Sequence, residues 1–315
     1  MSSTFKSFQR QLRGFVVFDI EFDNKTGLLI RMPVQAQAYR IGGAETYPMI
    51  TKRFYQSINE FLEVPYVPGS SLKGRLRGLL ELALGKKLYT TDQKIWQHVR
   101  NLSAMNIDDF AKDVEERCLV DELFGYAAMN YRQVYEKFER EGKSIDINKI
   151  DSIFSTLAIT RLLVDDFFPV EDYVKSIGAK SIADFLEEKS ENRIDRVTSA
   201  ADPRDIVRVK PGVKFGGRLT LLLFDHDDNM VEKYLLALAT GLRLVEETYL
   251  GASGSRGYGR VKFTKIAVLV EKVDVKDGAP RVIQLAELKK EYKSLNEFEK
   301  DVQSLAEKVK KAIFS

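Results

Sequence analysis

The chain has 315 residues, of which 30% are charged and 44% hydrophobic, and its formal net charge is only +3. That length allows one large or two modest domains with a proper core, and the composition is ordinary for a soluble globular protein. The weak whole-molecule field excludes binding by bulk charge, so any affinity for a polyanion has to come from local basic surface such as Lys73–Lys87, Arg204–Arg218 and Arg256–Lys265.

Phe15–Asp23 alternates, with Val16, Phe18, Ile20 and Phe22 on one face and Asp19, Glu21 and Asp23 on the other. This predicts a half-buried strand, followed by a turn at Asn24–Gly27 and a returning strand over Leu28–Met32. Pro33–Glu63, with Gly42, Gly43 and Pro48, predicts a long loop or a small excursion from the core. A helix opens within Pro65–Leu80, burying Leu72, Leu76, Leu79, Leu80 and Ala83, with Ser70 or Ser71 placed to cap it. Lys73 and Arg77 stand four apart on one face near the positive helix end. Hydroxyls, free amides and two cations together suit a phosphate.

Asp92–Arg140 reads as mostly helical with a break near Phe124-Gly125, and Leu157–Phe168 as a strand. Asp172–Ser190 reads as an acidic helix. From Ser190 to Gly212 no core periodicity survives, and Arg193, Arg196, Arg204, Arg208 and Lys210 suggest a protruding basic hairpin or a loop. Arg218–Asp225 is an apolar strand. Asn229–Glu232 has capping-box spacing ahead of a helix with the stripe Val231, Leu235, Leu238, Leu242 and Val245.

Tyr249–Val261 then places Gly251, Gly254, Gly257 and Gly259 within nine residues. Glycine lets backbone approach a partner closely, and successive turn amides suit an anion. Ser255 and Arg256 add a hydroxyl and a permanent charge. A tight helix-to-strand connection without a ligand fits the same glycines. Val261/Phe263 and Ile266/Val268/Val270 form a last strand, and Leu285–Ile313 predicts one or two charged helices. The order β-α-β…β-α-β points to an α+β, ferredoxin-like fold with large insertions.

Cys118 is the only cysteine, so neither a disulfide nor a cysteine-built zinc site can form, and a metal site would have to rest on carboxylates. His98 and His226, the only histidines, read as structural. No apolar run approaches a membrane span and the first residues lack a signal-peptide core, which predicts a cytoplasmic protein with no membrane partner. Exposed aromatics on sheet strands, which a generic RRM-like single-strand binder needs, are not placed in the sequence.

Three segments carry a resemblance: Pro65–Arg77 (PYVPGSSLKGRLR), Glu191–Val209 and Tyr249–Val261 (YLGASGSRGYGRV). Together they resemble the RAMP superfamily of CRISPR proteins, in particular the repeated backbone subunit of type III (Csm-type) effector complexes. The resemblance implies a modified RRM-like palm over 1–274, a thumb at about 190–212, and a C-terminal helical tail over 275–315. It also implies CRISPR RNA, target RNA and other RAMP subunits as partners. By resemblance, Ser70, Ser71, Lys73 and Arg77 would hold guide phosphates, with Gly254, Ser255 and Arg256 nearby. The thumb, with Arg193, Arg196 and Arg204, would kink the strand, Ile194 and Val197 serving as its wedge. Members that cut target RNA use an aspartate in a glycine-containing loop after the second strand. Here that place holds either Pro33-Val34 or, after an insertion, Glu45 in Ile41–Glu45. No cofactor is implied for binding; Mg²⁺ is implied if the chain cleaves.

Overall fold

In the computed structural model, residues 9–33, 46–99, 101–126, 129–143, 154 and 160–315 are described. Strand β1 (Leu12–Asn24) turns Val16, Phe18, Ile20 and Phe22 into the core, as alternation predicts. Leu28–Met32 forms no strand; only single bridges join Leu28 to Val209 and Arg31 to Pro48. The next segment holds an antiparallel ribbon, β2 (Ile50–Tyr55) and β3 (Glu60–Pro65), where a long loop or a small excursion from the core was expected. Helix α1 spans Gly69–Ala83.

An inserted lobe follows, with α2 (Ile107–Glu115), α3 (Leu119–Phe124) and α4 (Tyr131–Arg140). Asp92–Val99 is not helical, but the break at Gly125 is real: its φ is 94°, which favours glycine and ends α3. The expected Leu157–Phe168 strand is reduced, among the described residues, to β4 (Leu162–Val164) and β5 (Phe168–Pro169). The acidic helix is only α5 (Glu171–Ser176), because the chain then enters β6 (Leu186–Ile194), which pairs with β7 (Ala201–Val209) as a separate two-stranded hairpin.

Next come β8 (Lys214–Phe224), α6 (Val231–Glu247) and β9 (Val261–Lys276). The Asn229 capping box does not form: the residue before α6 is Met230 and makes no side-chain cap. The chain ends with β10 (Ala279–Gln284), β11 (Lys290–Tyr292) and α7 (Leu295–Phe314).

One antiparallel sheet runs β10-β9-β1-β8-β4, with β5 also on β8 and β11 on β9. Opposite Phe22 stands Phe263, while Glu21 faces Lys265, so Thr264 is an extra residue in β9. That bulge explains why the buried residues shift phase between Phe263 and Ile266. Helices α1 and α6 pack together, with Leu76 against Gly241, where a Cβ would come within 3.0 Å of it. Helix α7 lies on α6 and β9, and its Phe298 meets Phe18 edge-on at 5.9 Å. The 275–315 segment therefore shares the main core through Phe298, Val302, Leu305 and Val309.

A buried ion network ties the lobe to the sheet. Arg161, fully buried, reaches Glu122 at 3.0 Å and Asp227 at 2.9 Å, and Arg117 and Tyr234 complete the group. Each charge is costly alone and tolerable only as part of this set.

The docking of α7 sets a test. Phe298→Ala is expected to lower global stability by about 3–5 kcal/mol in urea denaturation. A loss well under 1 kcal/mol would mean that the last helix is detachable.

Candidate nucleic-acid interface

The three sequence segments meet at one end of the α1–α6 pair. At the first corner, Pro68 precedes α1 and neither Ser70 nor Ser71 caps it. Instead the Gly69 amide donates to Asp166 Oδ1 at 2.7 Å, from the connection between β4 and β5. Freed from capping, Ser70 is exposed and Ser71 half-buried. Lys73 is half-buried too; burial and then the charge of Arg77 hold its ammonium below the usual lysine range.

Arg77 does not join that surface. Its Nε lies 2.9 Å from Glu81, its Nη1 donates to the Gly125 carbonyl at 3.0 Å, and its Nη2 meets Asp121 at 3.3 Å and the His98 carbonyl. Lys73 and Arg77 do stand one turn apart, but the inserted lobe covers the second. It is an internal tether.

The cation that links the corners is Arg75, which sequence reasoning missed. Its Nε donates to the Tyr249 carbonyl at 2.9 Å, its Nη2 to Thr248 Oγ1 at 3.0 Å, and its guanidinium carbon lies 4.1 Å from the Tyr249 ring centre. Gly254 lies against the same ring; a Cβ there would come within 2.0 Å of it. Gly259, with φ 73°, would place a Cβ 2.0 Å from the Leu250 carbonyl, so only glycine fits. These glycines close the loop on itself. Gly254–Arg256 then forms one tight turn, and the amides of Ser253, Gly254 and Ser255 meet no acceptor among the described residues. Ser255 and Arg256 are exposed, and Arg256 is steadied by Ser253 Oγ at 3.1 Å.

The hairpin is rooted on the same loop. Buried Tyr258 donates to Glu191 Oε1 at 2.6 Å, and Arg208 and Lys189 flank its ring at 4.5 and 4.7 Å. Burial and this bond push the Tyr258 hydroxyl up to about 12, while the bond and Lys189 hold Glu191 low. At the far end Asp195 accepts the amides of Val197 (2.9 Å) and Thr198 (2.7 Å), so the tip is cross-linked. There Ile194 is 64% and Val197 92% exposed.

The stretch 190–212 holds five cations and four carboxylates, but the hairpin begins earlier and takes in more acids. Leu186–Val209 holds five cations and six carboxylates, and Arg193 and Arg204 both pair with Asp202, at 3.0 and 3.5 Å. Arg196, at the tip, is exposed.

Glu45 lies outside the described residues, as does Val34, but the next residue, Thr46, bridges to Ile206 and accepts the Val207 amide at 3.1 Å. On the sheet face away from α1 and α6, Asp19 pairs with Arg218 (2.8 Å) and Glu21 with Lys265 (3.3 Å), and at its edge Phe168 of β5 stacks on Tyr66 at 5.8 Å. His98 is buried in the lobe, outside any helix, and His226 bonds Asp225 at 3.0 Å; neither borders the corner. No helix among the described residues is long and apolar enough to cross a membrane.

A profile of the RAMP superfamily matches residues 40–262. A protein of Methanothermobacter thermautotrophicus named CRISPR system Cms endoribonuclease Csm3 is 31% identical over 81% of this chain and 85% of its own length. A Streptococcus thermophilus protein of the same name is 31% identical over 72% and 81%. The Methanopyrus kandleri Csm3 crystal structure superposes with a TM-score of 0.50 at 19% identity, covering 94% of this chain and 98% of that one, a likeness of fold.

The Arg75 contact has its own test. Arg75→Ala is expected to cost about 1.5–3 kcal/mol and to open Tyr249–Gly257 to limited proteolysis. Unchanged protection would show that the glycines alone hold the loop.

Proposed function

The chain belongs to the RAMP superfamily, among the Csm3 proteins, and from that premise we propose that it is a guide-RNA-binding backbone subunit of a type III CRISPR effector complex. The observation that carries this reading is the meeting of the α1 start and the glycine loop around Arg75. Ser70, Ser71 and Lys73 from one corner, with Ser255, Arg256 and the loop amides from the other, grip the sugar–phosphate chain of a CRISPR RNA. Such contacts fix register and read no sequence, which base pairing with target RNA then supplies.

The palm is of the ferredoxin-like type. In support, the strands before and after the two packed helices lie in the order β9-β1-β8-β4, all antiparallel. The β6–β7 hairpin is its thumb. Ile194 and Val197 on the cross-linked tip wedge between guide and target, unstacking a base at a cost of about a few kcal/mol. Arg196 sits beside them for a phosphate, while Arg193 and Arg204 stiffen the hairpin through Asp202. Copies or other RAMP subunits pack alongside.

Lys73→Ala with Arg256→Ala is expected to weaken binding equally for all guide sequences. The salt slope should fall by about 0.7 per lost phosphate contact. An unchanged slope in a filter-binding titration would remove this corner from the interface.

A second reading, metal-dependent cutting of target RNA, is favoured by the relatives' name of endoribonuclease. Its carboxylate would be Glu45, next to the Thr46 that is tied to the hairpin, with Mg²⁺ as the ion. The reconstituted complex with Mg²⁺ and complementary RNA decides it. Loss of cuts opposite this subunit in Glu45→Ala would establish cutting by this chain, and unchanged products would remove Glu45 from the reaction.

A further inference from the structure

Away from the corner, one more loop is built to hold apolar side chains in water. Tyr89 N donates to the Gln97 carbonyl at 2.9 Å and Gln97 N to the Tyr89 carbonyl at 3.0 Å, which closes residues 90–96 into a finger. Asp92 Oδ1 accepts the amides of Lys94 at 2.9 Å and Ile95 at 3.0 Å, and the Thr90 hydroxyl at 3.1 Å. Gln93 takes the turn with a φ of 59°. The tip of the β6–β7 hairpin has the same construction, with Asp195 taking the amides two and three residues on and a threonine hydroxyl. What the finger presents is Ile95, 64% exposed, and Trp96, 59% exposed and the only tryptophan of the chain. A slack loop would fold both inward; this one cannot.

The polar groups around the finger suit a nucleotide. Lys94 is exposed and forms no ion pair among the described residues, whereas Lys86 is answered by Asp113 at 3.7 Å and Lys87 by Asp109 at 2.6 Å. Beside the finger lies a cavity of about 140 Å³, lined by Thr91, Ile95, Gln97 and Asn101 among others. That is well under the roughly 300 Å³ a drug-sized ligand needs, so it takes a fragment such as the edge of one base. The Thr91 hydroxyl and the Gln97 carboxamide make no hydrogen bond among the described residues. An aromatic face, a lone cation and uncommitted donors and acceptors are what an unpaired base, its phosphate and its polar edge require. A folded protein partner fits less well, since a stable interface covers about 800 Å² on each side and the finger offers two apolar side chains.

We propose that the finger is a separate contact for single-stranded RNA. Trp96 stacks on one unpaired base, Lys94 meets the phosphate beside it, and Thr91 and Gln97 meet the edge of a neighbouring base at the cavity. The choice of RNA as ligand rests on the RNA-binding reading above, and the finger extends that reading to the other end of α1. It follows the last turn of that helix, whose 15 residues span about 22 Å, so the nucleotide it takes is not the one at Ser70, Ser71 and Lys73. Every base has a face to stack, and the contact is therefore indifferent to sequence.

Tryptophan emission of the full chain reports Trp96 alone, which makes the test direct. The protein is titrated with an unlabelled single-stranded RNA oligonucleotide while emission is followed, and binding of an end-labelled copy is measured separately by anisotropy. The expected result is quenching that tracks binding, with little quenching by a duplex of the same sequence. Trp96→Phe keeps a stacking ring and should bind as the wild type does, whereas Trp96→Ala should weaken binding about 5–150-fold, the loss of one stacked base. In Lys73→Ala with Arg256→Ala the quenching should persist at higher RNA concentration, because the finger is separate from the corner. Binding with unchanged emission would overturn the finger and leave the corner in place. No binding of the wild type by anisotropy would overturn the RNA-binding reading and the finger together. Protection of Trp96 from iodide by another subunit of the complex, with no effect of RNA, would make it a protein contact and overturn the proposal.

Discussion

Everything at the candidate interface depends on the guanidinium of Arg75, which joins chain segments more than 170 residues apart. Helix α1 begins where α6 ends, so a positive helix terminus lies beside a negative one. The two dipoles favour each other, yet the carbonyls at the end of α6 would repel any phosphate drawn to the start of α1. Arg75 sits between them, donating to Tyr249 O and Thr248 Oγ1 at that carbonyl end and covering the Tyr249 ring. The loop glycines complete the arrangement, since Gly254 on that ring and Gly259 on the Leu250 carbonyl leave no room for a side chain. The result is a fixed surface of amides and hydroxyls whose rigidity comes from the contacts of Arg75, Tyr249 and the loop glycines.

Charge is distributed by the same logic. Many cations on this nearly neutral chain are already answered: Arg77 by Glu81 and Asp121, Arg161 by Glu122 and Asp227, Arg193 and Arg204 by Asp202, Arg218 by Asp19. The exposed pairs among these add little stability, but they cancel the field a polyanion would otherwise feel across the surface. Lys73 and Arg256 form no ion pair among the described residues, and both border the corner. Local attraction on a neutral body gives weak binding per copy. Repetition along one strand is then the physical route to tight binding, because each further contact is intramolecular.

The elements legible in the sequence were those with clean periodicity: β1, the buried face of α1, the stripe of α6 and the alternation of β9. The bulge at Thr264 was visible as a three-residue step between Phe263 and Ile266, but a step alone does not show which strand carries the extra residue. The β2–β3 ribbon was lost among polar residues, since Phe54 and Phe61 meet each other with tilted rings at 5.1 Å rather than in the core. Capping failed at α1 because Asp166 reaches it from 97 residues away, and at α6 Asn229 Oδ1 accepts Lys310 Nζ at 3.0 Å instead; spacing within a helix start says nothing of a distant partner. The same blindness mis-assigned Arg77 and passed over Arg75. Both are two-residue steps on one helix, and only the neighbours, lobe on one side and glycine loop on the other, decide which faces inward.

Local neutrality suits the wedge role proposed for the hairpin. A strongly basic finger would lie along the phosphates of either strand, where attraction is greatest. With five cations against six carboxylates, this one has no net pull toward the backbone, and what it presents at its end is apolar. Exposing Val197 and Ile194 so fully is unfavourable in water, and a flexible loop would fold them back against the ribbon. Asp195 prevents that by taking both tip amides and the Thr198 hydroxyl, which fixes the turn without using any side chain of the apolar face. The root is held as firmly by the Tyr258–Glu191 bond, so a force at the tip is carried to the glycine loop rather than absorbed in the strands. In the proposed reading grip and wedge form one mechanical unit: a base displaced at the tip would load the loop proposed to hold phosphates at the root.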